Sequence, residues 1–122
     1  MILRNSIRTP DGTELVSRHR HDHVEYTDAN SKTYAVDGGT DYLRRQGHGD
    51  EVDTSIVVDN PTDPLVREHL MWGTYGVDGS EPLKWVLLKE MDTDHIRAVL
   101  LTQPLGEFHR EAMEHELKLR SA

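Results

Sequence analysis

The chain contains no cysteine. That removes disulfides, Cys-ligated zinc and thiol catalysis together. It fits a reducing compartment, and it fits secretion as well. Long apolar runs are missing too. The opening MILRNSIRTP resembles neither a signal peptide nor a membrane span, so a soluble, cytoplasmic protein without a membrane partner is expected. Aromatic residues make up only 6% of the 122 residues and hydrophobic residues 35%, and mean hydropathy is -0.67. The length is that of one domain, and its core is modest. Small domains bury a smaller share of their surface than large ones. Self-association is one way to bury more, so a homodimer is expected. Positive charge is scarce: 14 Lys and Arg stand against 22 Asp and Glu, a net charge of -8. General nucleic-acid binders carry a basic face, so no DNA partner is expected. A small anionic ligand is compatible with this balance, because a few arginines in a pocket dominate locally.

Catalytic signatures are missing as well. The chain has no GxSxG, no GxxxxGK[ST], no GxGxxG and no HExxH. Gly38-Gly39 lacks the following helix that a phosphate loop requires. The abundant carboxylates give pairs by chance, and Glu111, Glu114 and Glu116 read as a solvated helix surface. No catalytic residue and no cofactor is assigned, and the chain is read as a binding protein rather than an enzyme.

What is present reads as α+β: an N-terminal antiparallel β-sheet followed by C-terminal helices, in an intertwined homodimer. A single domain over 1–122 is expected, with a β-meander over 1–46, an acidic loop over 47–60, and a helix, a hairpin and two C-terminal helices over 61–122. Met1 to Ile7 reads as a strand, and Thr9-Pro10-Asp11-Gly12-Thr13 as a turn. Leu15 to Tyr26 reads as a second strand despite imperfect alternation, and Lys32 to Val36 as a third. Tyr42 to Arg45 is a short strand or one helical turn. Gly47 to Asn60 is read as a mobile loop with an edge strand at most. Asp63-Pro64 is a helix start, and Val77-Asp78-Gly79-Ser80 is a hairpin-like turn ahead of the strand Leu83 to Leu88. Helices follow over Asp94 to Thr102 and Glu107 to Leu119. The second carries Phe108, Ala112, Met113 and Leu117 on one stripe.

The most conspicuous cluster is SRHRHDHVEY, residues 17–26. On a strand, His19, His21 and His23 would share one face. Three imidazoles there would suit Zn²⁺ or Fe²⁺ in a phosphodiesterase or nuclease. Residues two apart on a strand lie roughly 7 Å apart, however, and ligands at about 2.0–2.1 Å from a metal converge poorly from one straight strand. A polar strand face near a dimer contact is the preferred reading, and no metal is assigned. Asp92 and Asp94 beside His95 suggest acid–base work, but helix capping accounts for the same residues. Trp72, Tyr75 and Trp85 around the hairpin could stack on a base, and Arg44, Arg45, Arg97 and Arg120 could supply charge. Burial in a core is the ordinary fate of both tryptophans. The charge of -8 also admits a third reading, an acidic inhibitor that masks a basic host protein.

Three segments carry a family resemblance: SRHRHDHVEYTDANSKTYAVDGGTDYLRR, HLMWGTYGVDGSEPLKWVLLKEMDTDHIRAVLLTQ and the closing EHELKLR. Together they resemble the phage anti-Thoeris sponge family, which neutralises bacterial immunity by sequestering a signalling nucleotide. The acidic stretch from about Gly47 to Asn60 is outside the resemblance. The family implies an N-terminal sheet followed by two helices, and a homodimer or larger assembly inside the infected cell. Its ligands would be glycocyclic ADP-ribose isomers, with cyclic oligonucleotides as further candidates, bound without cleavage at a subunit interface. On that resemblance Trp85 would stack on adenine. Asp94 or His95 would read a base edge or ribose, and Arg120, with Arg44 second, would clamp phosphate.

Overall fold

The computed structural model describes residues 1–76 and 78–121. The first position of the turn expected over 77–80 therefore lies outside the described residues. The chain is α+β, with antiparallel sheets first and helices last. It divides into two compact units, Met1–Val57 and Val58–Ala122.

In the first unit β1 (Ile2–Arg8) pairs antiparallel with β2 (Glu14–Ser17), in a register that sets Asn5 opposite Ser17 and Ile7 opposite Leu15. The turn between them closes on Thr9 N–H donating to Thr13 O at 2.9 Å. Gly12 there has φ 89°, a left-handed value that suits glycine. A second sheet is built from β3 (Val24–Thr27), β4 (Thr33–Asp37) and β5 (Arg44–Gln46) in that order. Ile7, Leu15, Tyr34 and Val36 form the core, with Val24 and Tyr26 packed against it.

Two expectations are corrected here. The strand expected over Leu15 to Tyr26 is broken: β2 stops at Ser17 and β3 begins at Val24. The cause is local hydrogen bonding that competes with a ladder. Ser17 Oγ donates to Asp22 O at 2.6 Å, and Arg18 N–H donates to Asp22 Oδ2 at 2.9 Å, which closes the segment into a loop. His19 and His21 therefore sit on that loop and share no strand face with His23. The stretch 47–60 contributes two short strands to the sheet, β6 (Val52–Asp53) and β7 (Ile56–Val57), both on β1. Between them hydroxyls stand in for the ladder: Ser6 N–H donates to Ser55 Oγ at 3.0 Å, and Ser55 Oγ donates to Ser6 O at 3.1 Å.

The second unit opens with α1 (Pro64–His69), whose N-cap Asp63 accepts from Leu65 N–H and whose first position is proline. β8 (Met71–Thr74) and β9 (Lys84–Leu87) form a hairpin with Gly73 opposite Trp85. A 3-10 turn, Leu88–Glu90, leads to α2 (Thr93–Thr102) and then α3 (Glu107–Ser121). Val66, Leu88, Met91, Ile96, Ala112 and Met113 are buried between these elements. Among the described residues no helix is long and apolar enough to cross a membrane.

Candidate functional site: a cleft between α1 and α3

Helix α3 buries Ala112, Met113 and Glu116 together. Positions 112, 113 and 116 fall on one face at helical spacing, so a carboxylate is seated within the apolar stripe. Glu116 is 1% exposed, which corrects its reading as a solvated surface residue. A buried carboxylate persists when it is paired and hydrogen-bonded, and Glu116 is both. Arg67 on α1 grips it with a two-pronged fork, Nε to Oε1 at 2.8 Å and Nη2 to Oε2 at 3.0 Å. Arg120, one turn along α3, donates Nε to the same Oε2 at 2.8 Å. Burial pushes the carboxyl pKa up, but the hydrogen bonds from Arg67 and Arg120 outweigh it and hold it below the usual carboxylate range. The hydrogen bond and charge of Glu116 in turn push Arg67 up.

The remaining N–H groups of Arg120 are also committed. Nη1 donates to Met91 O at 2.6 Å and to Thr93 Oγ1 at 3.1 Å. Nη2 donates to Leu88 O at 3.1 Å and Lys89 O at 3.3 Å. A guanidinium carries five N–H donors, and here each has an acceptor inside the unit. Arg120, the expected phosphate clamp, directs these donors to the 3-10 turn and the start of α2, tying the end of α3 to both.

Arg67 differs. Its side chain is 40% exposed, and its Nη1 has no hydrogen-bond partner among the described residues. Two arginines and one glutamate leave the triad with a surplus of one positive charge. A cleft of about 280 Å³ in the same unit is lined by Arg67 and Glu116 of this triad and by Asp63. Pro61, Pro64, Val66, Leu88, Ala112 and Leu119 supply apolar wall, and His115 stands beside Glu116 in the lining. Its volume is close to the lower end of small-molecule pockets, roughly 300 Å³. Apolar walls with a few convergent polar groups are the usual composition of such pockets.

The other sequence candidates fall elsewhere. Trp85 is half-buried on β9, and a side chain at Gly73 would come within 3.2 Å of its ring. Asp94 is 97% exposed and pairs at 3.6 Å with Arg97. His95 is half-buried on the first turn of α2. Asp92 occupies the N-cap position of α2 but makes no side-chain cap hydrogen bond, so capping does not account for it. Arg44 belongs to the first unit, exposed and cross-strand from Asp37. Of the three clustered histidines, His23 pairs with Asp37, Nδ1 to Oδ2 at 3.3 Å. Among the described residues no group of three or more His, Asp or Glu is placed to hold a metal ion. Arg67 and Glu116 were missed. The available signal was the i,i+4 spacing of Glu116 and Arg120, with Glu116 inside the stripe of Ala112 and Met113.

No family model matches the chain, and no curated protein or solved structure matches it.

Proposed function

We propose that this protein is a non-catalytic binder that sequesters a small anionic nucleotide, of the cyclic ADP-ribose class that the family resemblance implies. The observation that supports it is the half-exposed Arg67, held by Glu116 at the wall of a largely apolar cleft. Its free Nη1 suits a phosphate oxygen, and the surrounding Pro, Val and Leu surface suits a nucleoside. A preformed fork loses little freedom on binding, which favours the slow release that sequestration requires. The acting form is a homodimer or larger homo-oligomer in the cytoplasm of the infected cell, and cyclic oligonucleotides are secondary ligands.

Isothermal titration with cyclic ADP-ribose isomers, read beside native mass spectrometry, tests this. Binding should weaken at least tenfold in Arg67→Gln and in Leu119→Glu, with the ligand mass recovered unchanged. Leu119 is a half-exposed cleft residue, so its variant leaves the triad intact. Full affinity in both variants sinks the cleft as the site. Release of a ligand with altered mass sinks sequestration.

A further inference from the structure

Asp63 brings a carboxylate into the cleft that Arg67 lines. It is the N-cap of α1, and that task occupies one oxygen: Leu65 N–H donates to Oδ1 at 2.9 Å. Its Oδ2 has no hydrogen-bond partner among the described residues. Arg67 follows four positions later, one turn along α1. Side chains at that spacing stand on one side of a helix, about 5–6 Å apart at Cβ. Among the described residues the two form no ion pair with each other, because Arg67 turns Nε and Nη2 to Glu116. One wall of the cleft thus offers a free acceptor, Asp63 Oδ2, and a free donor, Arg67 Nη1, a turn apart.

Charge decides what such a wall can hold. Arg67 and Arg120 balance Glu116 and Asp63, so the four groups together carry no net charge. Glu116 has both oxygens bonded to arginine, which leaves Asp63 as the carboxylate with an oxygen to offer. A bare anion is attracted by Arg67 and repelled by Asp63. A ligand that also brings hydroxyl donors satisfies both. A 5′-phosphorylated ribose does so on one sugar: its phosphate accepts, and its 2′ and 3′ hydroxyls donate. Hydrogen bonds to an ionised partner are roughly twice as strong as neutral ones, and a carboxylate on a ribose hydroxyl is how dinucleotide sites read the sugar. Pro61, Pro64 and Leu119 leave apolar surface in the same cleft for a base.

We infer that Asp63 is the sugar-reading residue of the cleft: its Oδ2 accepts from ribose hydroxyls while Arg67 Nη1 holds the phosphate. The cleft therefore selects ribose phosphates over inorganic anions and over sugars that lack the hydroxyls. This rests on the nucleotide reading of the cleft and adds to it the part of the ligand that is recognised.

Isothermal titration of the full chain with AMP, 2′,3′-dideoxy-AMP and inorganic phosphate at constant ionic strength tests it. Wild type should bind AMP at least about tenfold tighter than either of the other two, the loss expected when a hydrogen bond to a charged group is removed. Serine and asparagine cap helices as well as aspartate does, so Asp63→Ser and Asp63→Asn should keep α1, which circular dichroism checks. Asp63→Ser should bind the two nucleotides alike, and Asp63→Asn should lower the preference because the charge is gone. Arg67→Gln should weaken both nucleotides. Equal wild-type affinity for AMP and its dideoxy analogue, or a preference that survives in Asp63→Ser, overturns the role of Asp63 and leaves the nucleotide reading standing. Phosphate bound as tightly as AMP overturns that role too. Absence of AMP binding also overturns it, and the nucleotide reading falls with it where cyclic ADP-ribose fails to bind as well.

Discussion

Glu116 and Arg120 stand one turn apart on α3, joined Nε to Oε2 at 2.8 Å with side-chain exposures of 1% and 21%. A solvated pair at that spacing contributes about 0.3–0.5 kcal/mol. This pair differs because Glu116 also holds Arg67, and Arg120 also holds the carbonyls of Leu88, Lys89 and Met91. Arg120 thereby ties Glu116, the partner of Arg67, to the 3-10 turn.

Arg120→Leu should therefore be a stability variant first. It leaves Glu116 with one cation, and it frees three carbonyls around the 3-10 turn. Breaking a buried ion pair on one side costs roughly 3–5 kcal/mol, and urea unfolding should show a loss of that order. A loss below about 1 kcal/mol would mean that the triad contributes no more than a surface pair.

Glu116→Gln should change the acid limb of the stability curve. The folded pKa of Glu116 lies below its unfolded value, so its contribution is full above the unfolded pKa, about 4.3. It is lost as pH falls through the folded value. Wild type should exceed the variant at neutral pH, and the two should converge on acidification. A gap that is constant with pH would show that the carboxylate charge contributes nothing.

The same residues show how far the sequence reads. The order of sheet then helices, the Asp63 cap and the Leu83–Leu88 strand are all encoded locally, in turn chemistry and apolar period, and they are legible. The break after Ser17 was not, because it depends on a hydroxyl and a carboxylate folding back on the chain over an SRHRHD run that alternates like a strand. Strands β6 and β7 were not either, since two-residue strands have no period and form only because β1 offers an edge. Arg67 and Glu116 lie 49 residues apart, and only the packing of α1 on α3 makes them a pair.

Gly39→Ala and Gly12→Ala separate two costs of the left-handed region. Gly12 has φ 89° with nothing within 4 Å of an added Cβ, so only backbone strain applies, roughly 1–3 kcal/mol. Gly39 has φ 52°, and an added Cβ would lie 2.2 Å from the His19 backbone, so the loops that carry Gly39 and His19 must part as well. Thermal melts should therefore place Gly39→Ala well below Gly12→Ala. Equal melting temperatures would show that the loops do not press on one another.

His109 gives a pH dependence of the opposite origin from Glu116. It is half-buried on α3, against Phe108 at 6.2 Å between ring centroids, and burial lowers its pKa. Below about 6.5, the ordinary histidine value, the unfolded chain takes up a proton that the native helix resists. Stability is therefore lost as pH falls from that value through the lowered folded one, and is constant above it. His109→Gln carries no such proton. Urea midpoints for wild type should drop more than those of the variant between pH 7 and pH 5, and the difference should vanish above pH 7. Parallel midpoints across that range would place the imidazole in water, with α3 turned away from the packing described for it.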